Sequence, residues 1–390
     1  MNRKDTFLVF GKPHFNQDEI DEIIDTIKSG WWGTGPKTEK FEWLFKEYIG
    51  SKYSLAVNSA TSGLFLALKV LGISEGDEVI TTPLTFCSTA NVILHLGAKP
   101  VFADIESDSW NIDPIQIEKK ITKKTKAILP VHLHGRPCKM DQIRAIAKKH
   151  KLYVVEDAAH ATEAWFKKKK IGNISDITVF SFYVTKNIAT GEGGMVTTNN
   201  RKWIEKMRVL SLHGLSRDAY KRYSVKEYVN YECMYPGYKF NMTDLTASLG
   251  IHQLSRVKKN FKIRGQLWDL YNKEFEDCPL LSVPKNEDND TVHARHIYAI
   301  LLKLELIKVS RDKCISLLIR EKIGSGVHFT PVHLHHYYKK TFGYRKGDYP
   351  NAEFIGERVI SLPFGANLKV KDIKRVAETV KKLLHQNSIQ

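Results

Sequence analysis

Three short segments carry residue types that could do chemistry together. In Asn58-Ser59-Ala60-Thr61-Ser62-Gly63 an apolar run gives way to small residues and hydroxyls that lead straight into Leu64-Phe65-Leu66-Ala67-Leu68. A helix starting there exposes backbone N–H groups with no intrahelical partner, a dipole of favourable sign and hydroxyl donors, which together cup an anion. Ser and Thr cap helices in any context, so this segment alone reads equally as an ordinary N-cap. It matches neither GxGxxG nor GxxxxGK[ST], which speaks against nucleotide binding by those routes. In Val154-Val155-Glu156-Asp157-Ala158-Ala159-His160 a buried strand ends in two carboxylates, and the alanines after them leave room for something flat. Asp157 is poised there for a cation; the bland alternative is a capping aspartate and a core histidine. In Phe180-Ser181-Phe182-Tyr183-Val184-Thr185-Lys186-Asn187, a predominantly apolar strand ends in a lysine, and the glycine-rich turn Gly191-Glu192-Gly193-Gly194 follows. Partial burial disfavours the ammonium form of Lys186, and a neutral amine forms Schiff bases with carbonyl compounds.

These segments need a frame that brings them together. From Leu55 to Thr198 short apolar runs alternate with helical stretches. The predicted strands are 55–57, 78–81, 100–103, 127–131, 153–155, 178–182 and 195–198. Several are continuously apolar, as in strands buried on both faces, so the spacing predicts an α/β fold with a largely parallel sheet between helices. Ligands of such sheets bind beyond the carboxyl ends of the strands. Anion cup, carboxylate and lysine then converge on one edge. Pyridoxal phosphate requires that set: a helix N-terminus for its phosphate, an Asp for its pyridinium nitrogen and a Lys for its aldehyde. An amphipathic helix with Ile20, Ile23, Ile24 and Ile27 opens the chain and Gly30 closes it. After Leu254 the pattern changes to a basic helix (256–276), scattered strands, a helix over 313–321 and a terminal amphipathic helix. The expected division is a large domain over 1–254 and a smaller C-terminal α/β domain over 255–390.

Composition narrows the partners. The 390 residues include 60 Lys and Arg against 43 Asp and Glu, a net charge of +17, yet the basic residues are spread along the whole chain. The densest run, Lys167-Lys168-Lys169-Lys170, reads as a solvated hairpin, so the charge suits small anionic substrates and not nucleic acid. No apolar run is long enough for a bilayer and the N-terminus does not read as a signal peptide, so neither membrane association nor export is expected. The 5 cysteines are widely spaced without a CxxC, which fits a reducing, cytoplasmic setting. Cys314 reads as a buried structural thiol in a helix. His328, His333, His335 and His336 lack HExxH or paired cysteines, so no metal site is expected. Trp31 and Trp32 read as core residues or as a platform for a substrate base.

The motifs in order are Gly33-Thr34-Gly35-Pro36-Lys37, Asn58-Ser59-Ala60-Thr61, Thr85-Phe86, Glu156-Asp157-Ala158-Ala159-His160-Ala161, Ser181-Phe182 with Thr185-Lys186-Asn187, and Gly191-Glu192-Gly193-Gly194. They continue with His213-Gly214, Ser216-Arg217-Asp218-Ala219 and Gly237-Tyr238-Lys239-Phe240-Asn241-Met242-Thr243-Asp244. In this order, from Trp31 to about Pro363, the chain resembles the DegT/StrS family of pyridoxal-phosphate-dependent nucleotide-sugar aminotransferases. The resemblance implies a fold-type-I enzyme with a mostly parallel seven-stranded sheet.

It further implies that Lys186 binds the cofactor and moves the proton, and that Asp157 keeps the pyridine nitrogen protonated. His160 lies beside the phenolic oxygen, Phe86 stacks on one ring face, and Ala159 lines the other. Ser181, Thr61 and the N–H of Ala60 hold the phosphate. The second subunit of a homodimer completes the site through Lys239 and Asn241, in the order Lys-Phe-Asn where many relatives have Asn-x-Arg, so either of the two could reach the phosphate. Thr34 and His328 are the candidate substrate contacts. Lys186 is present where the family's dehydratases have histidine, so transamination is expected, with glutamate as donor and a nucleotide-linked keto sugar as acceptor. The Glu-Asp-Ala-Ala-His form and Val327-His328-Phe329-Thr330-Pro331-Val332-His333 favour amination at C4. The alternatives are a C3-specific sugar or cyclitol aminotransferase, or a catalytically silent regulatory protein.

Overall fold

The computed structural model describes residues 6–216, 231–285 and 290–389. Two helices, α1 (Gln17–Ser29) and α2 (Pro36–Ile49), precede an alternation of β1 (Tyr53–Val57), α3 (Ala60–Val70), β2 (Glu78–Thr81), α4 (Cys87–His95), β3 (Lys99–Phe102), α5 (Pro114–Lys120), β4 (Thr125–Leu129), α6 (Met140–His150) and β5 (Tyr153–Asp157). A small hairpin, β6 (Trp165–Phe166) and β7 (Lys169–Lys170), leads to β8 (Ile177–Ser181) and β9 (Gly194–Thr198). Helices α7 (Arg201–Ser211), α8 (Asp244–Ser255) and α9 (Val257–Phe275) follow. The C-terminal part holds β10 (Leu281–Ser282), β11 (Thr291–Val292), β12 (Tyr298–Leu302), α10 (Arg311–Arg320), α11 (His336–Phe342), α12 (Pro350–Arg358), β13 (Val359–Leu362) and α13 (Val370–Gln386).

The expected α/β architecture is present. The large sheet has 7 strands in the order β1-β9-β8-β5-β4-β2-β3. Strands β8, β5, β4, β2 and β3 pair in parallel, while β9 runs against both of its neighbours. The continuous apolar runs have the predicted consequence: β8 and β9 are buried at every residue. One face of the sheet packs on Phe41, Phe45, Phe180 and Phe182, the other on Leu64, Leu66, Val79 and Val179. In the C-terminal part, β10-β12-β13 form an antiparallel sheet against α9, α10 and α13 around Tyr271, Tyr298 and Ile373. Leu8 pairs with Ile323 and joins that core, so the start of the described chain is tied to the C-terminal part. Among the described residues no helix is long and apolar enough to cross a membrane.

Helix α1 departs from the usual rule that an apolar stripe marks the core face. Ile20, Ile24 and Ile27 are exposed, and the buried side chains are Glu19 and Thr26. Polar partners on α8 and beyond cause the inversion. Glu19 accepts from Gln253 and pairs with Arg256, and Glu22 pairs with Lys37 and His252. A carboxylate can be buried where several donors meet it, and an isoleucine on that face would leave those donors unpaired. Trp31 and Trp32 lie just beyond, exposed, with their indole N–H groups donating to the carbonyls of Thr34 and Ile27.

Candidate active site

The strand registers bring the three segments to one edge. Ser181 pairs with Gly194, which pairs with Val57, and Asp157 pairs with Val179 on the neighbouring strand. Helix α3 begins directly after β1. Ser59 is its N-cap, accepting from the Ser62 N–H at 3.1 Å, so Ala60 and Thr61 present the unpaired first-turn N–H groups. A side chain at position 194 would close this approach: a Cβ on Gly194 would stand 2.7 Å from the Ala60 nitrogen. Ser181 is buried at the end of β8, one strand across from this helix start.

Asp157 is buried at the carboxyl end of β5, accepting from Thr89 Oγ1 at 2.9 Å and from the Ala159 N–H at 3.1 Å. Desolvation outweighs those bonds and raises its pKa. None of the ion pairs among the described residues includes it, so a buried carboxylate is left asking for a cation. The adjacent Glu156 points to the opposite side of the sheet, fully buried, bonded to His132 Nε2 at 2.8 Å and to Thr178 at 3.1 Å. Of the two acids at this strand end, only Asp157 therefore serves the edge.

Lys186 is not on the strand. Strand β8 ends at Ser181, and Lys186 sits in the following turn, its N–H donating to the Tyr183 carbonyl at 2.8 Å. Desolvation lowers its pKa to about 8, opposed by the charge of Asp157. His160 is also buried, and desolvation followed by the Lys186 charge holds its pKa well below the usual range. Its Nδ1 accepts the His134 N–H at 3.2 Å, which leaves the proton of the neutral ring on Nε2, free to donate.

The other expected residues gather around this group. Phe86 is 58% exposed at the N-cap of α4, its ring 6.1 Å from Phe329, which in turn stacks on His160 at 6.0 Å. Asn58 donates from its backbone to Phe240 and from its side chain to the Lys239 carbonyl, so the 239–241 segment lies along this chain's own helix start. Thr34 and Asn241 touch: the Asn241 amide donates to the Thr34 hydroxyl, which donates to the Met242 carbonyl. His328 has Nδ1 against Ser361 Oγ at 2.8 Å, its carbonyl accepts from His134 Nε2 at 2.9 Å, and desolvation pushes its pKa down to about 3. His333 is bonded to Glu353 at 2.9 Å on the far side of that loop, and Cys314 is buried in α10. Arg217, Asp218 and Ala219 of the expected motifs lie outside the described residues.

Several participants escaped the sequence. Glu163 and Arg264 form a buried ion pair across a separation of 101 residues, and Glu163 also accepts from the Asn187 amide at 2.8 Å, fixing the residue after Lys186. His296 Nδ1 meets Asn187 Oδ1 at 3.1 Å, and its ring lies 4.7 Å from His160. Nothing in local spacing announces such pairs. The one available hint was a Glu in an otherwise apolar stretch after the Ala-Ala-His turn.

The donor set fits pyridoxal phosphate: first-turn N–H groups and Ser181 for a phosphate, an unpaired buried Asp for a ring nitrogen, a neutral His N–H for a phenolic oxygen, and a desolvated amine. A model of the DegT/DnrJ/EryC1/StrS aminotransferase family matches residues 13–381. The chain is 51% identical over 384 residues to the uncharacterized protein MJ1066 of Methanocaldococcus jannaschii, covering 98% of this chain and 99% of that protein. It is 47% identical over 385 residues to the spore coat polysaccharide biosynthesis protein SpsC of Bacillus subtilis, again covering 98% and 99%. Among solved structures, Spr1654 of Streptococcus pneumoniae in its PMP form superposes with a TM-score of 0.90 at 33% identity, over 97% of this chain and 99% of that one.

Proposed function

The chain belongs to the DegT/DnrJ/EryC1/StrS aminotransferase family, and from that membership we propose that it moves an amino group from glutamate to the C4 keto carbon of a nucleotide-linked sugar. It is an enzyme, a pyridoxal-phosphate-dependent sugar aminotransferase. We assign it to amino-sugar or surface-polysaccharide synthesis in the cytoplasm, in keeping with its likeness to a spore coat polysaccharide protein. The carrying observation is the pair formed by Asp157, buried and outside every ion pair of the described residues, and the desolvated Lys186, whose charges act on each other's proton affinity.

In this proposal Ala60, Thr61 and Ser181 hold the phosphate, Asp157 takes the ring nitrogen, His160 donates from Nε2 to the phenolic oxygen, and Phe86 covers a ring face. When bound, pyridoxal phosphate supplies an electron-withdrawing ring beside the carbon that gains or loses nitrogen. Lys186 Nζ, neutral above about pH 8, holds and returns the proton exchanged at that carbon. The imidazole wall of His134, His160 and His296 stays uncharged and adds no competing cation next to the amine.

Amination at C4 is supported by His160 in the Glu-Asp-Ala-Ala-His motif and by the loop carrying His328. A homodimer with shared sites is supported by the outward apolar stripe of α1, which continues into Trp32 and, through Thr34, reaches Asn241. The two domains of the proposal meet at residues 254 and 255. Incubating the purified protein with glutamate and either a 4-keto or a 3-keto nucleotide sugar, then locating the new amine by NMR, tests the reading. Amine at C4 supports it; amine at C3, or none, overturns it.

A further inference from the structure

A cavity of about 180 Å³ opens between the loops that follow β3 and β4 on one side and α9, β10 and β12 on the other. Asp157, His160, Ser181 and Lys186 do not line it. His134 does, and it is the wall shared with the site above: its N–H goes to His160 and its Nε2 to the His328 carbonyl. A dry cavity of about 150 Å³ admits benzene, so this one has room for a single six-membered ring and is small for a fused pair. Its walls are aromatic. Trp110 and Trp268 line it, with His134 edge-on to Trp110 at 5.8 Å and His293 against Trp268 at 5.0 Å. Two donors there are unspent. His293 is 5% exposed, burial keeps it neutral, and its Nδ1 accepts the Arg295 N–H at 2.8 Å, so the ring proton is on Nε2. That nitrogen has no hydrogen-bond partner among the described residues and is not one of their sealed polar atoms, so it opens into the cavity that the ring lines. Arg136 is half-buried, and among the described residues its guanidinium enters no hydrogen bond or ion pair. The acid beside it in the lining, Asp108, is answered by Lys285 at 4.0 Å.

We propose that this cavity is a binding site, separate from the catalytic one, for a pyrimidine nucleoside monophosphate, with the base among Trp110, Trp268 and His293 and the phosphate on Arg136. Each part of the ligand answers one feature of the cavity. A single flat ring matches the room available and stacks on aromatic side chains. His293 offers only an N–H, which suits the ring carbonyl that every pyrimidine base carries. An uncompensated guanidinium takes a phosphate through parallel N–H bonds. The proposal does not depend on which sugar carbon is aminated at Lys186.

Calorimetric titration of the cofactor-loaded protein with UMP, AMP, uridine and inorganic phosphate tests this. UMP should bind more tightly than the other three. Arg136→Met keeps the apolar stem and removes the charge, and it should weaken UMP by at least about tenfold, as loss of a charged hydrogen bond does. His293→Phe keeps a ring against Trp268 and removes the N–H, for a smaller loss of about fivefold. A nucleotide seated beside Lys186 would not sense either change, so the binding lost in these variants belongs to this cavity. Turnover of Arg136→Met without UMP should match the wild type, which separates a lost ligand from a lost fold. No UMP binding by the wild type, unchanged UMP affinity in a folded Arg136→Met protein, or AMP or inorganic phosphate binding as tightly as UMP overturns the proposal. Failure of the protein to aminate any keto sugar would overturn the acceptor reading and leave this site standing.

Discussion

Two lysines in this molecule have lost much of their preference for the charged form. Lys170, on the β6–β7 hairpin, places its Nζ 2.9 Å above the Tyr48 ring centroid and donates to the Tyr48 carbonyl; desolvation, reinforced by Lys258, lowers its pKa to about 7. Lys186 is lowered to about 8, because Asp157 partly restores its charge. The more perturbed amine is thus the one away from the carboxyl edge of the sheet. A depressed pKa reports burial; what sets Lys186 apart is its company, a helix N-terminus, a buried acid outside any ion pair of the described residues and a neutral imidazole.

Four experiments can break or sharpen that contrast. Replacing Lys186 by Ala should cut turnover by at least about 10³-fold, because proton movement by a positioned group is worth that much; a steady-state assay that finds near-normal rates would erase the distinction between the two amines. Asp157→Asn removes the negative charge offered to the ring nitrogen and should lower kcat by about 10²-fold, with weaker cofactor retention on gel filtration. Glu163→Gln leaves Arg264 as an uncompensated buried charge and loosens Asn187, so stability should fall by about 3 kcal/mol, visible as a lower Tm, with a smaller loss of activity. Lys170→Met should leave turnover within about twofold, as for a residue remote from the chemistry. It should, however, flatten the pH dependence of Tm. The folded pKa of Lys170 lies below its unfolded value, so the unfolded chain binds the extra proton between about pH 7 and 10.5, and wild-type stability rises with pH across that window.

The same contrast explains what could be read from the sequence. Strand positions came through because short runs with an apolar centre, set between helical stretches, have few alternatives in a chain of this length, and β2 matches its expected ends. The helix N-terminus at Ala60, the acid at 157 and the lysine at 186 were legible because small, acidic and amine residues at the ends of apolar runs are poorly explained by packing. The inversion of α1 was not legible: its isoleucine stripe is an ordinary core pattern, and only the acceptance of Glu19 and Glu22 by α8, more than two hundred residues away, turns it outward. Glu156 and Asp157 looked equivalent in sequence, and strand alternation separated them, sending one to His132 and the other to the edge.

What the sequence determined by itself is the inventory and its order: seven buried strands, a cup, an acid, an imidazole and an amine, each set by local hydrophobicity and local residue chemistry. What only the tertiary structure decided is which of these groups lose water and which find partners. Desolvation and pairing depend on chain segments brought in from far away, as Glu163 and Arg264 were brought to Lys186, and no local pattern encodes the environment those segments create.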